Sequence, residues 1–331
     1  MRLTYKKFTL EVEVKDLISM PPYKGSTIRG GFGNVFKRVT CPFKNRECRD
    51  CMLISGCIYA YIFETSPKDD FTIMNMSKYE KIPHPFVIEP PEEKTLTYHS
   101  GEKITFNLIL VGRAVDYIPY FVYTFGELGN IGIGRGRGKY ELKRVLQNDK
   151  EIYSAEEKTI KATDPEVLEI PEADIFLQCE EANDDSIRLI ANTPIRIVYR
   201  RRLASRLEFH ILIRNLLRRI GLLYYFHCEK IPPKWDPRSI IREAEKVNIV
   251  KDNLRWFDWE RYSQRQKSKM KMGGLIGDIV YEGNIRPFIP LLRAGEILHV
   301  GKGTSFGLGK YTLESLNAER WFHFDHTYNK Y

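Results

Sequence analysis

Gly132-Ile133-Gly134-Arg135-Gly136-Arg137-Gly138-Lys139-Tyr140-Glu141-Leu142 and Gly301-Lys302-Gly303-Thr304-Ser305-Phe306-Gly307-Leu308-Gly309-Lys310-Tyr311-Thr312-Leu313 are two versions of one device. Each is a glycine-rich turn that closes on Gly-x-Gly-Lys-Tyr-x-Leu. Glycine is needed where φ is positive or where a second backbone comes within contact distance. Arg and Lys set among bare amides make a surface suited to phosphate. Recurrence of the turn in two halves of one chain predicts a duplicated fold.

The sequence around each turn supports that expectation. In the first half a strand pattern covers 3–14, and Pro21-Pro22 precede an amphipathic helix at about 26–39. Its apolar face carries Ile28, Phe32, Val35, Phe36 and Val39. Strand candidates follow at 60–65, 86–89 and 103–111, then a helix at 118–128, the glycine turn and a strand at 139–145. In the second half a strand at 187–198 leads to a long helix at 203–226. A hairpin of 253–262 with 274–281, a helix at 285–295, the second turn and a strand at 310–316 complete it. Each half reads strand–helix–strand–strand–helix–strand. The predicted class is α+β: two tandem ferredoxin-like (RRM-like, βαββαβ) domains with a C-terminal glycine-rich loop. The expected division is 1–150, an acidic linker at 151–185 with Pro165 and Pro171, and 186–331.

With 331 residues, 43% hydrophobic and 29% charged, each half is long enough to bury a core of its own. No apolar run reaches membrane-spanning length and the first residues lead into a strand, so a cytoplasmic location is expected and no membrane partner. Between Glu151 and Asp185, 12 acidic residues stand against Lys158 and Lys161, a balance of −10. Against a total of +9, the remainder of the chain therefore carries +19. A basic body interleaved with aromatic residues points to a polyanion, and nucleic acid is the commonest in cytoplasm.

Several motifs resemble the CRISPR-associated repeat-RNA endoribonucleases, the sixth Cas protein of the RAMP superfamily. They are Gly301-x-Gly303-x3-Gly307-x-Gly309, the preceding Leu291-Leu292-x-x-Gly295-Glu296-x-Leu298-His299-Val300, Arg261-Tyr262-Ser263-x-Arg265-Gln266, Gly273-Gly274-Leu275-x-Gly277, and Arg29-Gly30-Gly31-Phe32-Gly33. A four-cysteine insert is similar to one in a branch of that family. The resemblance implies two ferredoxin-like domains that bind CRISPR repeat RNA and cut precursor crRNA without a metal. The nucleophile would be the neighbouring 2′-hydroxyl, and the products a 2′,3′-cyclic phosphate and a 5′-hydroxyl. A subunit of the same superfamily that cradles crRNA in an effector complex without cutting it is the alternative. Partners expected are repeat RNA and crRNA, with effector-complex subunits and a second copy of the chain as further candidates.

In-line attack needs a proton acceptor for the 2′-hydroxyl, a cation for the phosphorane and a proton donor for the leaving oxygen. Relatives place a histidine on or near the first helix. Here no histidine precedes His84, so that role has no matching residue. Tyr23, Lys24 and Lys37 are the catalytic candidates near the helix, with Arg29 as a phosphate contact. His299, two residues before Gly301, is the acid–base candidate of the second half. For the RNA backbone the candidates are Arg135 and Arg137 in the first turn, and Gly301, Lys302, Gly303, Gly307 and Gly309 in the second. Arg201, Arg206, Arg214 and Arg218 along the long helix, and Arg261, Arg265, Lys267 and Lys269 near Trp256 and Trp259, complete the set. Cations beside rings suit RNA. The histidines His323 and His326 sit in a terminal tail and read as packing.

Cys41, Cys48, Cys51 and Cys57 form C-x6-C-x2-C-x5-C within one short insert. Four thiols this close in a reducing compartment predict a structural metal, zinc first and an iron–sulfur cluster second. No catalytic metal is expected. Cys179 and Cys228 read as ordinary thiols.

Overall fold

The computed structural model describes residues 1–43, 48–64, 82–171, 185–263 and 268–316. Its first half comprises β1 (Arg2–Val14), α1 (Gly25–Thr40), α2 (Ile58–Phe63), β2 (Phe86–Glu89), β3 (Lys103–Val111), α3 (Ile118–Ile131), β4 (Tyr140–Gln147), β5 (Lys150–Ser154) and β6 (Glu166–Glu169). The sheet runs β2-β3-β1-β4-β5, with every pairing antiparallel. The first four members are in the spatial order of a ferredoxin-like fold.

The second half repeats the plan with β7 (Asp185–Ile195), α4 (Phe209–Tyr224), α5 (Pro237–Ala244), β8 (Asn248–Asp252), β9 (Arg255–Phe257), β10 (Gly274–Gly283), α6 (Ile289–Leu298) and β11 (Tyr311–Ser315). Its order is β8-β10-β7-β11, with β9 also paired to β10. The two glycine turns occupy equivalent places, one joining α3 to β4 and the other joining α6 to β11.

The tyrosine that closes both turns explains part of the duplication. The Tyr140 hydroxyl donates to the Phe125 carbonyl of α3 at 2.9 Å, and Tyr311 donates to the Leu292 carbonyl of α6 at 2.6 Å. Both rings are buried. In each domain the strand after the turn is thus pinned to the helix before it by one aromatic side chain whose polar end is satisfied. This half of the repeat is a folding device, independent of any ligand.

The apolar face predicted for α1 is the one that packs. Ile28, Phe32, Val35 and Phe36 are buried, and Phe32 stacks on Phe125 and Phe121 with ring centroids 4.6 and 5.1 Å apart. The two cores are not separate. Phe86, Ile88, Leu108 and Leu110 face α1 and α3, whereas Val87, Ile109 and Val111, the alternate residues of the same strands, join Leu3 and Tyr5 against the second domain's core. β2 and the end of β3 are buried on both faces, which is why 108–111 is an unbroken apolar run.

Four expectations change. The stretch at 60–65 is helix, not strand: Ile-Tyr-Ala-Tyr-Ile-Phe has no period that separates the two forms, and burial beside α1 decides for α2. The long helix starts at Phe209, not 203, because Val198–Tyr199 pairs with Arg202–Leu203 in a hairpin. Arg200 and Arg201 form its tip, at φ 46° and 67°. The linker expected at 151–185 is partly sheet, since β5 pairs with β4 and β6 with β1, so the first domain extends to about residue 170. Helix α5 went unread. Asp236 caps it by accepting the Arg238 amide, with Pro237 at its first position, a legible start signal.

Candidate nucleic-acid interface

A cleft of about 1830 Å³ lies between the domains. One wall is a stripe of α1, Ser26, Gly30, Asn34 and Arg38, spaced by four residues and therefore on one helical face. The first glycine turn supplies Arg135 and Arg137, both exposed. The second domain contributes Pro194, Trp259 and Phe306, the last from the second glycine turn. Both turns therefore border one cavity, as the duplication predicts, but they do so differently.

The second turn is mostly interior. Gly307 and Gly309 are buried, and a Cβ on Gly307 would meet Ile88 and Pro90 of the first domain. Gly25, at the start of α1, lies so close to the Phe306 carbonyl that a side chain there would collide with it. Gly307 and Gly309 are thus removed from the predicted RNA contacts: their lack of a side chain lets the turn dock on the first domain. Lys302 is exposed, whereas Gly301 and Gly303 are half-buried.

His299 is also a correction. It is fully buried at φ 61°, with Nε2 3.1 Å from Glu89 Oε1 and Nδ1 3.1 Å from the Leu308 carbonyl. Burial lowers its pKa, against the opposing pull of the Glu89 carboxylate. A ring with no path to the cleft is no acid–base catalyst for bound RNA. Glu89 itself is 3% exposed and contacts Lys7 Nζ at 2.9 Å, Lys310 Nζ at 3.3 Å and Asn107 Nδ2 at 2.9 Å. Burial pushes this carboxyl up, but the His299 hydrogen bond and the lysine charges outweigh it and hold its pKa well below the usual range. This node joins β2 to both ends of the second glycine turn.

The remaining catalytic candidates separate. The Tyr23 hydroxyl donates to the Phe306 carbonyl at 2.7 Å, its ring lies 4.5 Å from that of Trp259, and burial raises its pKa far above a working range. Lys24 is buried and donates to the Glu93 carbonyl, with its pKa lowered by burial. Both line the cleft but are committed to protein partners. Lys37 does not line it. Its ammonium lies 5.5 Å from the centre of the Tyr59 ring, and its charge acts on Cys48. Eight residues on from Arg29, at about 100° each, the helix has carried Lys37 round to the insert. Arg29 stays in the cleft, its guanidinium 4.9 Å from the Phe63 ring and 4.7 Å from the Phe306 ring. Arg38, also read from the sequence as a cation near the helix, lines the cleft; Asn34 was missed, although the spacing from Gly30 would have found it.

A second basic group lies outside the cleft lining. Arg200 and Arg214 place their guanidinium carbons 5.2 and 5.9 Å from the Tyr199 ring, and Arg201 is exposed at the hairpin tip. Arg206 precedes α4 and pairs with Asp252 at 3.8 Å, and Arg218 is half-buried on α4. The hairpin expected between 253–262 and 274–281 is divided: 255–257 pairs with 274–276, and 260–263 pairs separately with 268–271 in the basic segment. Arg265 and Lys267 lie outside the described residues, as do the side chains of Arg261 and Lys269 and the tail with His323 and His326.

Cys48 sits in the field of Cys41 and Cys57, its thiol pushed up mainly by burial. Among the described residues, however, no group of three or more His, Cys, Asp or Glu side chains is gathered to hold a metal. The geometry therefore does not assemble the predicted four-thiol site, and no step below is routed through a metal. A structural zinc remains a proposal carried by the cysteine spacing alone. Metal analysis of purified protein is expected to give about one zinc per chain and no visible absorbance; metal-free protein, or a brown one, refutes it.

The geometry defines a two-domain protein with a basic cleft between ferredoxin-like halves. Residues 189–311 match the family model described as CRISPR-associated endoribonuclease Cas6, and residues 3–165 match a model described as an N-terminal domain, AF_1859_N. An uncharacterized protein of Archaeoglobus fulgidus is 23% identical over 312 residues, covering 89% of this chain and 93% of that protein. Among solved structures, a Thermus thermophilus Cas6 in its product complex superposes with a TM-score of 0.52 at 17% identity, over 94% of this chain and 99% of its own. A chain of a partial Cas6-RT-Cas1–Cas2 complex matches with a TM-score of 0.54 at 13% identity over 95% of this chain. This protein spans only 46% of that longer chain. The likeness to the Cas6 family model thus covers the second domain, residues 189–311.

Among the described residues no helix is long and apolar enough to cross a membrane.

Proposed function

We propose that this protein is an endoribonuclease that binds CRISPR repeat RNA and cuts precursor crRNA by attack of a 2′-hydroxyl on the adjacent phosphodiester, without a metal. The observation that carries the reading is the convergence on one cleft of three elements: the α1 stripe with Arg29 and Arg38, the exposed Arg135 and Arg137 of the first turn, and Phe306 of the second. A cavity of this size, lined by cations and by the Tyr23–Trp259 ring pair, suits a single strand whose phosphates and bases take different partners. The basic hairpin around Arg201 extends the positive surface beyond the cleft, where flanking RNA would run.

The test is incubation with labelled repeat RNA in EDTA. A single cut leaving a cyclic phosphate and a 5′-hydroxyl is expected, and a 2′-deoxy substitution at the scissile nucleotide is expected to abolish it. Cleavage that requires added divalent cation would overturn the metal-free chemistry. A non-catalytic crRNA-binding subunit is the second reading, favoured by the commitment of Tyr23 and Lys24 to protein partners. Tight, salt-sensitive binding with no cut in any condition would establish it.

A further inference from the structure

The groups read from the sequence leave one service unfilled. His299 is sealed in the interior, the Tyr23 hydroxyl is held by Phe306, and Lys24 is held by Glu93. Among the described residues, the histidine that does line the cleft is His84. It stands two residues before β2, and its ring packs between Phe86, 5.7 Å away, and Phe63, 6.2 Å away. Nδ1 makes no hydrogen bond with any described residue. Such a polar atom is costly to bury, and its retention beside a binding cleft calls for a partner that arrives with the ligand. Phe63, which packs on His84, is also the ring under the Arg29 guanidinium, so a cation and an imidazole share one corner of the cleft. Burial, then the Arg29 charge, lowers the His84 pKa to about 3, so the ring is neutral before RNA binds; a phosphate seated against Arg29 offsets that charge and raises the proton affinity of the ring.

We propose that His84 is the general base of the cleavage step, with Arg29 beside it neutralising the scissile phosphate. The inference rests on the endoribonuclease reading above. In the step, the proton on the 2′ oxygen passes to an imidazole nitrogen of His84 as the O2′–P bond forms. The P–O5′ bond breaks, and the departing 5′ oxygen takes a proton from water. The base thus comes from the segment entering β2, and the absence of a histidine from α1 is compensated by tertiary placement.

The experiment compares wild-type, His84→Phe and His84→Ala proteins under single-turnover conditions with saturating protein and repeat RNA, alongside RNA affinity. His84→Phe keeps a ring between Phe63 and Phe86 and removes both nitrogens, so the fold is retained even if the alanine variant is unstable. The expected result is a rate lower by about 10²–10⁴-fold with affinity unchanged, and partial restoration of His84→Ala activity by added imidazole. A wild-type rate in His84→Phe, a loss of rate matched by loss of affinity, or no rescue by imidazole would each overturn the assignment. RNA left uncut by the wild-type protein would instead sink the endoribonuclease reading itself, a distinguishable failure.

Discussion

Gly309→Ala is expected to destabilise the protein by about 3–4 kcal/mol, whereas Gly136→Ala, at the tip of the other turn, is expected to cost about 1 kcal/mol. Both glycines have positive φ, 77° and 88°, so both variants carry the cost of a left-handed residue. They differ in surroundings. A Cβ at Gly309 would run into the Val300 carbonyl, which accepts no displacement without unseating the turn, because the Val300 amide donates back to the Gly309 carbonyl at 3.0 Å. At Gly136 nothing lies within 4 Å. Chemical denaturation of the two variants against wild type measures the contrast. Equal losses would show that the Val300 carbonyl does not confine Gly309. Misplacing it would also shift Phe306, and with it the hydroxyl of Tyr23, so cleavage is expected to fall in Gly309→Ala beyond what stability explains.

Glu89→Ala is expected to cost about 3–5 kcal/mol, the range for removing one partner of a buried ionic cluster. The side chain is 3% exposed, so solvent screening does little to soften the loss. Removing the carboxylate leaves the Lys310 ammonium without its buried counter-ion and deprives Lys7 and His299 of an acceptor. Glu89→Gln, which keeps volume and one acceptor oxygen, is expected to lose less. The pH dependence has a definite sign. The Glu89 carboxyl is held below the unfolded carboxylate range, so its contribution is complete above about pH 4.5 and fades as pH falls further. Denaturation midpoints of both variants at neutral pH and at pH 4 check this. A loss below about 1 kcal/mol in Glu89→Ala would show that the node does not hold the second turn to the first domain.

Much of the architecture was legible because it is local. The i, i+4, i+7, i+8 spacing of Ile28, Phe32, Val35 and Phe36 already specifies which side of α1 is buried. The repeated Gly-x-Gly-Lys-Tyr specifies that two domains end alike, and Tyr140 and Tyr311 show why. The turn arginines Arg135 and Arg137 were readable as exposed cations, since no apolar residue flanks them within the turn tip. Where local pattern is silent, as in the six-residue run of α2 or the hairpin before α4, the reading failed.

What the sequence by itself determined is the set of elements, their order in two similar halves and the basic character of the whole. Periodicity, turn chemistry and charge are properties of neighbours along the chain. Only the tertiary structure decided what the histidines and the glycines do, because those roles depend on residues far away along the chain. Glu89 and His299 meet across the domain boundary, and the imidazole is lost to the solvent. Gly307 turns from a phosphate cradle into a contact with β2. His84 is carried from the far side of the cysteine insert to the corner beside Arg29. Proton affinity and access to a ligand are set by burial and by charge through space, and neither is written in the spacing of residues.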